Sequence, residues 1–168
     1  CIPENPPALP VAIEAIREAD LIVLGPGSLF TSLLPNFLVP EIVEALLKNE
    51  SPKIYISNLM TQPGETDGLD VLQHIKSIER QLLNFGVNTR IFNSILSQGE
   101  FERSSLIDYY RSRGAEPVIC NKGRLISDGY YVLQAPLYSK KITPTLRHDS
   151  RRLARAVILM YRKLKMTS

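Results

Sequence analysis

The stretch "DLIVLGPGSLFTS", Asp20 to Ser32, decides the fold. Four apolar residues, Leu21 to Leu24, run without a break into Gly25-Pro26-Gly27-Ser28. A short continuous apolar run marks a strand buried on both faces, and such strands belong to parallel sheets covered by helices. Two uses of the turn stay open on local sequence. Glycine and proline turn a chain sharply. Glycines also let backbone N–H groups approach an anion, and Ser28, Thr31 and Ser32 add hydroxyl donors. G-P-G-S matches neither the Walker nor the dinucleotide fingerprint.

Outward from this strand, helical and strand patterns alternate. Residues 6–19 read as a helix after a proline-rich entry, with Ala12, Ile13, Ile16 and Ala19 on one face. A second amphipathic helix covers 40–49, with Pro40 at its start, and a strand follows at 53–57. Residues 69–86 carry Leu72, Ile75, Ile78 and Leu82 at helical spacing and stop at Gly86. The pattern then predicts a strand at 89–94, a helix at 101–114, strands at 116–120 and 130–137, and a last helix at 149–164 capped by Asp149 or Ser150. Such alternation means a mainly parallel sheet with helices on both faces.

Ligands of open α/β sheets bind outside the carboxyl ends of the strands. The segments after 21–24, 53–57 and 89–94 are therefore the places to look. The second is "SNLMTQPGETDGLD", Ser57 to Asp70, a long polar loop with amide, hydroxyl and carboxylate groups on Asn58, Thr61, Gln62, Glu65, Thr66 and Asp67. Helix capping by Asp67 or Asp70 explains part of it, but not a run of this length. The third is "FNSILSQGE", in which Asn93 ends the expected strand and faces the same crevice.

Bulk properties narrow the class. With 44% hydrophobic residues in 168, the chain has a core to bury, as expected of one domain or a large part of one. A net charge of +3, mixed along most of the chain, does not describe a dedicated nucleic-acid surface. The exception is the basic stretch from Arg147 to Lys165. Cys1, Cys120, His74 and His148 show no metal-ligand spacing, so a reduced, cytoplasmic protein without disulfide or zinc is expected. No apolar run reaches the ~18–20 residues of a membrane span, and no signal peptide is visible. The chain starts "CIPENPP", without Met, as a fragment or processed chain would.

Taken together, "ADLIVLGPGSLFTSLLPNFLVP", "YISNLMTQPGETDG", "YYRSRGAEPV" (109–118) and "LRHDSRRLA" (146–154) resemble the CofD/YvcK-like family, the UPF0052 proteins. They resemble its bacterial gluconeogenesis-factor branch more closely than the phospholactate transferase of coenzyme F420 synthesis. The resemblance runs in order over nearly the whole chain. It implies a Rossmann-like three-layer α/β/α fold with a mainly parallel sheet, incomplete at the N-terminal side. Family members are about twice as long and carry a glycine-rich nucleotide loop that is absent here. Residues 1–168 are thus expected to be the C-terminal part of a single CofD-like domain.

The resemblance also implies a nucleotide diphosphate ligand, of UDP-sugar or guanosine diphosphate type. One branch is linked to gluconeogenic growth, cell-wall synthesis and cell shape. The other moves a phospholactyl group from a guanosine diphosphate carrier to a deazaflavin. The ligand-binding residues expected on both grounds are Gly25, Gly27, Ser28, Thr31, Asn58, Thr61, Tyr110 and Arg147, with Asp67 as the candidate Mg²⁺ contact. One tyrosine of the Tyr109-Tyr110 pair packs inward and the other stacks on a base or sugar; the family pattern favours Tyr110 for stacking. Arg147 is either a diphosphate clamp or part of a solvated basic face with Arg151, Arg152 and Arg155. A homo-oligomer is compatible with the pattern.

Overall fold

The computed structural model describes residues 6–102, 105–139 and 145–167. Among these residues four strands form one sheet in the order β1-β2-β3-β4, every neighbouring pair parallel. They are β1 (Ile22–Leu24), β2 (Lys53–Ile56), β3 (Ser94–Gln98) and β4 (Tyr131–Ala135). The helices are α1 (Pro10–Glu18), α2 (Pro40–Lys48), α3 (Val71–Asn84), α4 (Ser105–Arg111), α5 (Lys122–Ser127) and α6 (Ser150–Thr167).

Alternation along β2 and β3 sorts the core into two layers. Tyr55 and Ile95 point to the side built from Val43 and Leu46 of α2 and Leu72, Ile75, Ile78 and Leu82 of α3. Ile54, Ile56 and Leu96 point to the other side, where Ala156 and Met160 of α6 meet them. The result is helix, sheet, helix, as expected. Each element has a local cause. Pro10 and Pro40 open α1 and α2 at positions whose N–H has no helical partner. Asp70 and Gln73 form a reciprocal capping box at the start of α3. Gly86, with φ of +75°, lies just past the end of α3.

Three expectations fail. The third strand is not 89–94 but 94–98, whose sequence SILSQ is buried throughout. Its polar side chains find partners inside: Ser97 with Ser57 at 3.1 Å, and Gln98 Oε1 with the Leu137 N–H at 2.7 Å. Ile91 and Phe92, which suggested a strand, are core residues ahead of it, and Phe92 stacks on Tyr55. Asn93 therefore precedes β3, where its carbonyl accepts the Tyr131 N–H. It lies at the end of the sheet opposite the expected crevice. Residues 116–120 are not a strand of the sheet: Pro117 makes an isolated antiparallel bridge with Met60, and α5 follows. Residues 29–38, left without an element by the pattern, wind into one π turn and one 3-10 turn.

One buried and one half-buried histidine give the fold a pH dependence. His74, 1% exposed, has Nδ1 at 2.8 Å from the Asp70 carbonyl, which only accepts, so Nδ1 carries the proton. His148 bonds the Ser57 backbone; the Ser57 N–H is already given to Leu96, leaving its carbonyl as the acceptor. In both rings Nε2 is buried with no partner among the described residues, and burial lowers both pKa values below the ordinary 6.5. Below that value the unfolded chain takes up protons the folded one refuses. Stability should thus be unaffected by these groups above about pH 6.5 and fall as pH drops toward the folded-state values. The slope is at most about 1.4 kcal/mol per pH unit for each histidine, and less for His148, whose ring is only part-buried and screened. Urea midpoints between pH 7 and 5 should show the fall, and His74→Leu should flatten it.

Candidate functional site at the carboxyl ends of the strands

The turn after β1 is held tightly against β2. Gly25 has φ of +84° and is followed by a cis bond to Pro26. A Cβ at Gly25 would stand 2.9 Å from the Ile56 carbonyl oxygen. This glycine is required by the close approach of two strand ends. Gly27 differs. It has no positive φ, and a Cβ there would meet only the Ser32 side chain, at 3.2 Å. Ser28 caps the π turn, its Oγ accepting the Thr31 N–H at 3.3 Å. The helical segment behind it is only five residues long, so the macrodipole adds little here.

The loop from Ser57 to Asp70 meets this turn. Gly27 N–H donates to Asn58 Oδ1 over a long 3.4 Å, and Ser28 Oγ donates to Glu65 Oε2 at 3.1 Å. Not every polar residue of the loop is free for a ligand. Thr61 is 4% exposed and pinned to Glu116, its N–H donating to the Glu116 carbonyl and its Oγ1 accepting the Glu116 N–H. Thr66, fully buried, takes the Gln62 N–H on its hydroxyl at 2.8 Å. Asp67 Oδ2 accepts the Gly64 N–H at 2.7 Å and so shapes the turn. Among the described residues, no group of three or more His, Cys, Asp or Glu side chains is placed to hold a metal ion. A Mg²⁺ here would have to arrive with phosphate oxygens completing its shell.

The segment ahead of α6 joins the same end. Tyr110 of α4 accepts the Leu146 N–H on its hydroxyl at 3.0 Å, and His148 is tied to Ser57, next to Asn58. Arg147 stands between these two tethers. It is exposed and has no hydrogen bond or ion pair among the described residues. Asp149, two positions on, is already engaged by the N–H groups of Arg151 and Arg152, both at 3.0 Å. Of the tyrosine pair, Tyr110 is half-buried; Tyr109 is 47% exposed, with the Arg113 guanidinium 4.6 Å over its ring. Sequence reasoning named Glu65 among several loop groups and set His148 aside. The signal for His148 was its place between Arg147 and the capping Asp149.

Next to this site, at the carboxyl ends of β3 and β4, lies a cavity of about 510 Å³ lined by residues including Gln98, Phe101, Arg111, Cys120 and Gln134. Among the described residues no single helix is long and apolar enough to cross a membrane.

Comparison with known proteins agrees with this architecture. A relative from Nostoc sp. is 39% identical over 166 residues, 96% of this chain and 34% of its own length. The gluconeogenesis factor of Halalkalibacterium halodurans is 39% identical over 163 residues, covering 93% of this chain and 47% of that protein. The crystal structure of a UPF0052 family member from Bacillus halodurans superposes with a TM-score of 0.82 at 38% identity, over 93% of this chain and 48% of that one. The chain thus spans between a third and a half of the length of these relatives. The family described as 2-phospho-L-lactate transferase CofD matches residues 1–138. The chain belongs to the CofD/UPF0052 family, and the relatives it resembles here carry the name gluconeogenesis factor.

Proposed function

We propose that this protein binds a nucleotide diphosphate of the UDP-sugar type and acts as a cytoplasmic regulatory factor in central carbon metabolism, cell-wall synthesis and cell shape. The carrying observation is the meeting of the turn after β1 with the loop after β2, at Gly27 and Asn58, near the tethered Arg147, which has no partner among the described residues. Backbone donors, hydroxyls and an exposed guanidinium at the carboxyl ends of parallel strands suit a diphosphate. The relatives named gluconeogenesis factor support the metabolic assignment.

A second reading has one specific support, the match to a family described as a phospholactate transferase. In that reading a deazaflavin hydroxyl oxygen bonds the phosphorus of the phospholactyl group, the P–O–P anhydride of the guanosine diphosphate carrier breaks, guanosine monophosphate leaves, and the hydroxyl proton passes to solvent. Titrating the full-length protein with a UDP-sugar, then incubating it with the guanosine-activated donor and the deazaflavin acceptor, decides between them. Binding of the UDP-sugar without turnover is expected. Turnover of the donor supports the transferase, and absence of any nucleotide binding overturns both.

A further inference from the structure

The donors that an anionic ligand would use at the turn after β1 are occupied by the chain itself. Gly27 N–H faces the amide oxygen of Asn58, and Ser28 Oγ faces a carboxylate oxygen of Glu65. In the nucleotide reading above, a carboxylate on the serine hydroxyl takes the place of a phosphate oxygen. The backbone that carries Glu65 is firmly built. Glu65 N–H and Thr66 N–H both donate to the Gln62 carbonyl, at 3.0 and 2.9 Å, and Thr66 is fully buried. Glu65 itself is exposed, and no cation pairs with it among the described residues. The loop thus presents a carboxylate, unpaired among the described residues, to a set of donors.

We infer that Glu65 is an internal competitor for the anion cradle: its side chain holds Ser28 when the site is empty and must swing aside when a diphosphate enters. This rests on the nucleotide reading above and adds its regulation. An exposed hydroxyl–carboxylate contact is weak, and the 3.4 Å bond at Gly27 is at the limit of hydrogen bonding, so both are readily exchanged for a ligand. A carboxylate that stayed in place would repel the diphosphate at short range. The competitor therefore lowers affinity without blocking the site, and any change that draws Glu65 away raises affinity.

The test titrates inorganic pyrophosphate and a UDP-sugar separately into full-length wild type, Glu65→Gln and Glu65→Ala, at low and high salt. Glutamine keeps an acceptor for Ser28 but removes the charge; alanine removes both. Both variants should bind both probes about three- to thirtyfold more tightly than wild type, and the gap should shrink with salt as the charge is screened. Binding by the variants alone also supports the inference. Unchanged or weaker binding in the variants, with wild type binding normally, overturns it and leaves the nucleotide reading standing. A Mg²⁺-dependent weakening would make Glu65 a metal contact and overturns it too. If no form of the protein binds either probe, the nucleotide reading falls and the inference falls with it.

Discussion

Gly25→Ala should cost the protein roughly 2–4 kcal/mol of stability, whereas Gly27→Val should cost far less stability and more ligand affinity. An L-residue forced into the left-handed region loses about 1–2 kcal/mol. At Gly25 the φ is +84°, and the added carbon would also press on the Ile56 carbonyl at 2.9 Å. That oxygen belongs to β2, next to Ser57 and close to the centre of the core, so relief requires moving two strand ends. At Gly27 the only close neighbour is the exposed side chain of Ser32, which can move. Valine there instead crowds the space over the backbone donor that a ligand would approach. Urea denaturation of the two full-length variants, with UDP-sugar titration of each, checks both halves. Equal stability losses would mean that GPGS is a turn and nothing more.

The two glycines show where sequence stops being informative. That a buried strand ends at Gly25 is legible, because four apolar residues meet a glycine and a proline. Which glycine serves the fold and which leaves room for a ligand depends on the approach of Ile56, 31 positions away in the chain. The same limit hid β3. Its sequence SILSQ mixes polar and apolar residues, and reads as a strand only once Ser57 and Leu137 supply hydrogen-bond partners from other elements. Apolar patterning points instead to Ile91 and Phe92, which are buried for a different reason, packing rather than pairing. Long-range partners also divide the loop after β2. Thr61, Thr66 and Asp67 look alike as candidate ligands, yet each is engaged by backbone N–H groups of the protein. Asn58 and Glu65 are the ones that reach the other loop.

Arg147→Ala should lower UDP-sugar affinity by about ten- to a hundredfold, the effect of losing charge-assisted hydrogen bonds worth about 1.5–3 kcal/mol. Stability should change by less than about 0.5 kcal/mol, as for an exposed side chain with no partner among the described residues. Arg147→Lys should recover only part of the affinity, since an ammonium keeps the charge but not the planar fork. Tyr110 then separates two roles. If its ring stacks on the base or sugar, Tyr110→Phe keeps the ring and the affinity. If instead its hydroxyl positions Arg147 by holding the Leu146 N–H at 3.0 Å, Tyr110→Phe should weaken binding about three- to tenfold, the size of one net hydrogen bond. The double variant decides. A positioning role predicts that Tyr110→Phe costs affinity in wild type and almost nothing once Arg147 is alanine, because the group being positioned has gone. Independent losses that add in the double variant would show that Tyr110 touches the ligand directly. Full affinity in both Arg147→Ala and Tyr110→Ala, which removes the ring as well, would remove this end of the chain from the site and leave the Gly27–Asn58 contact as a packing feature of the sheet's edge.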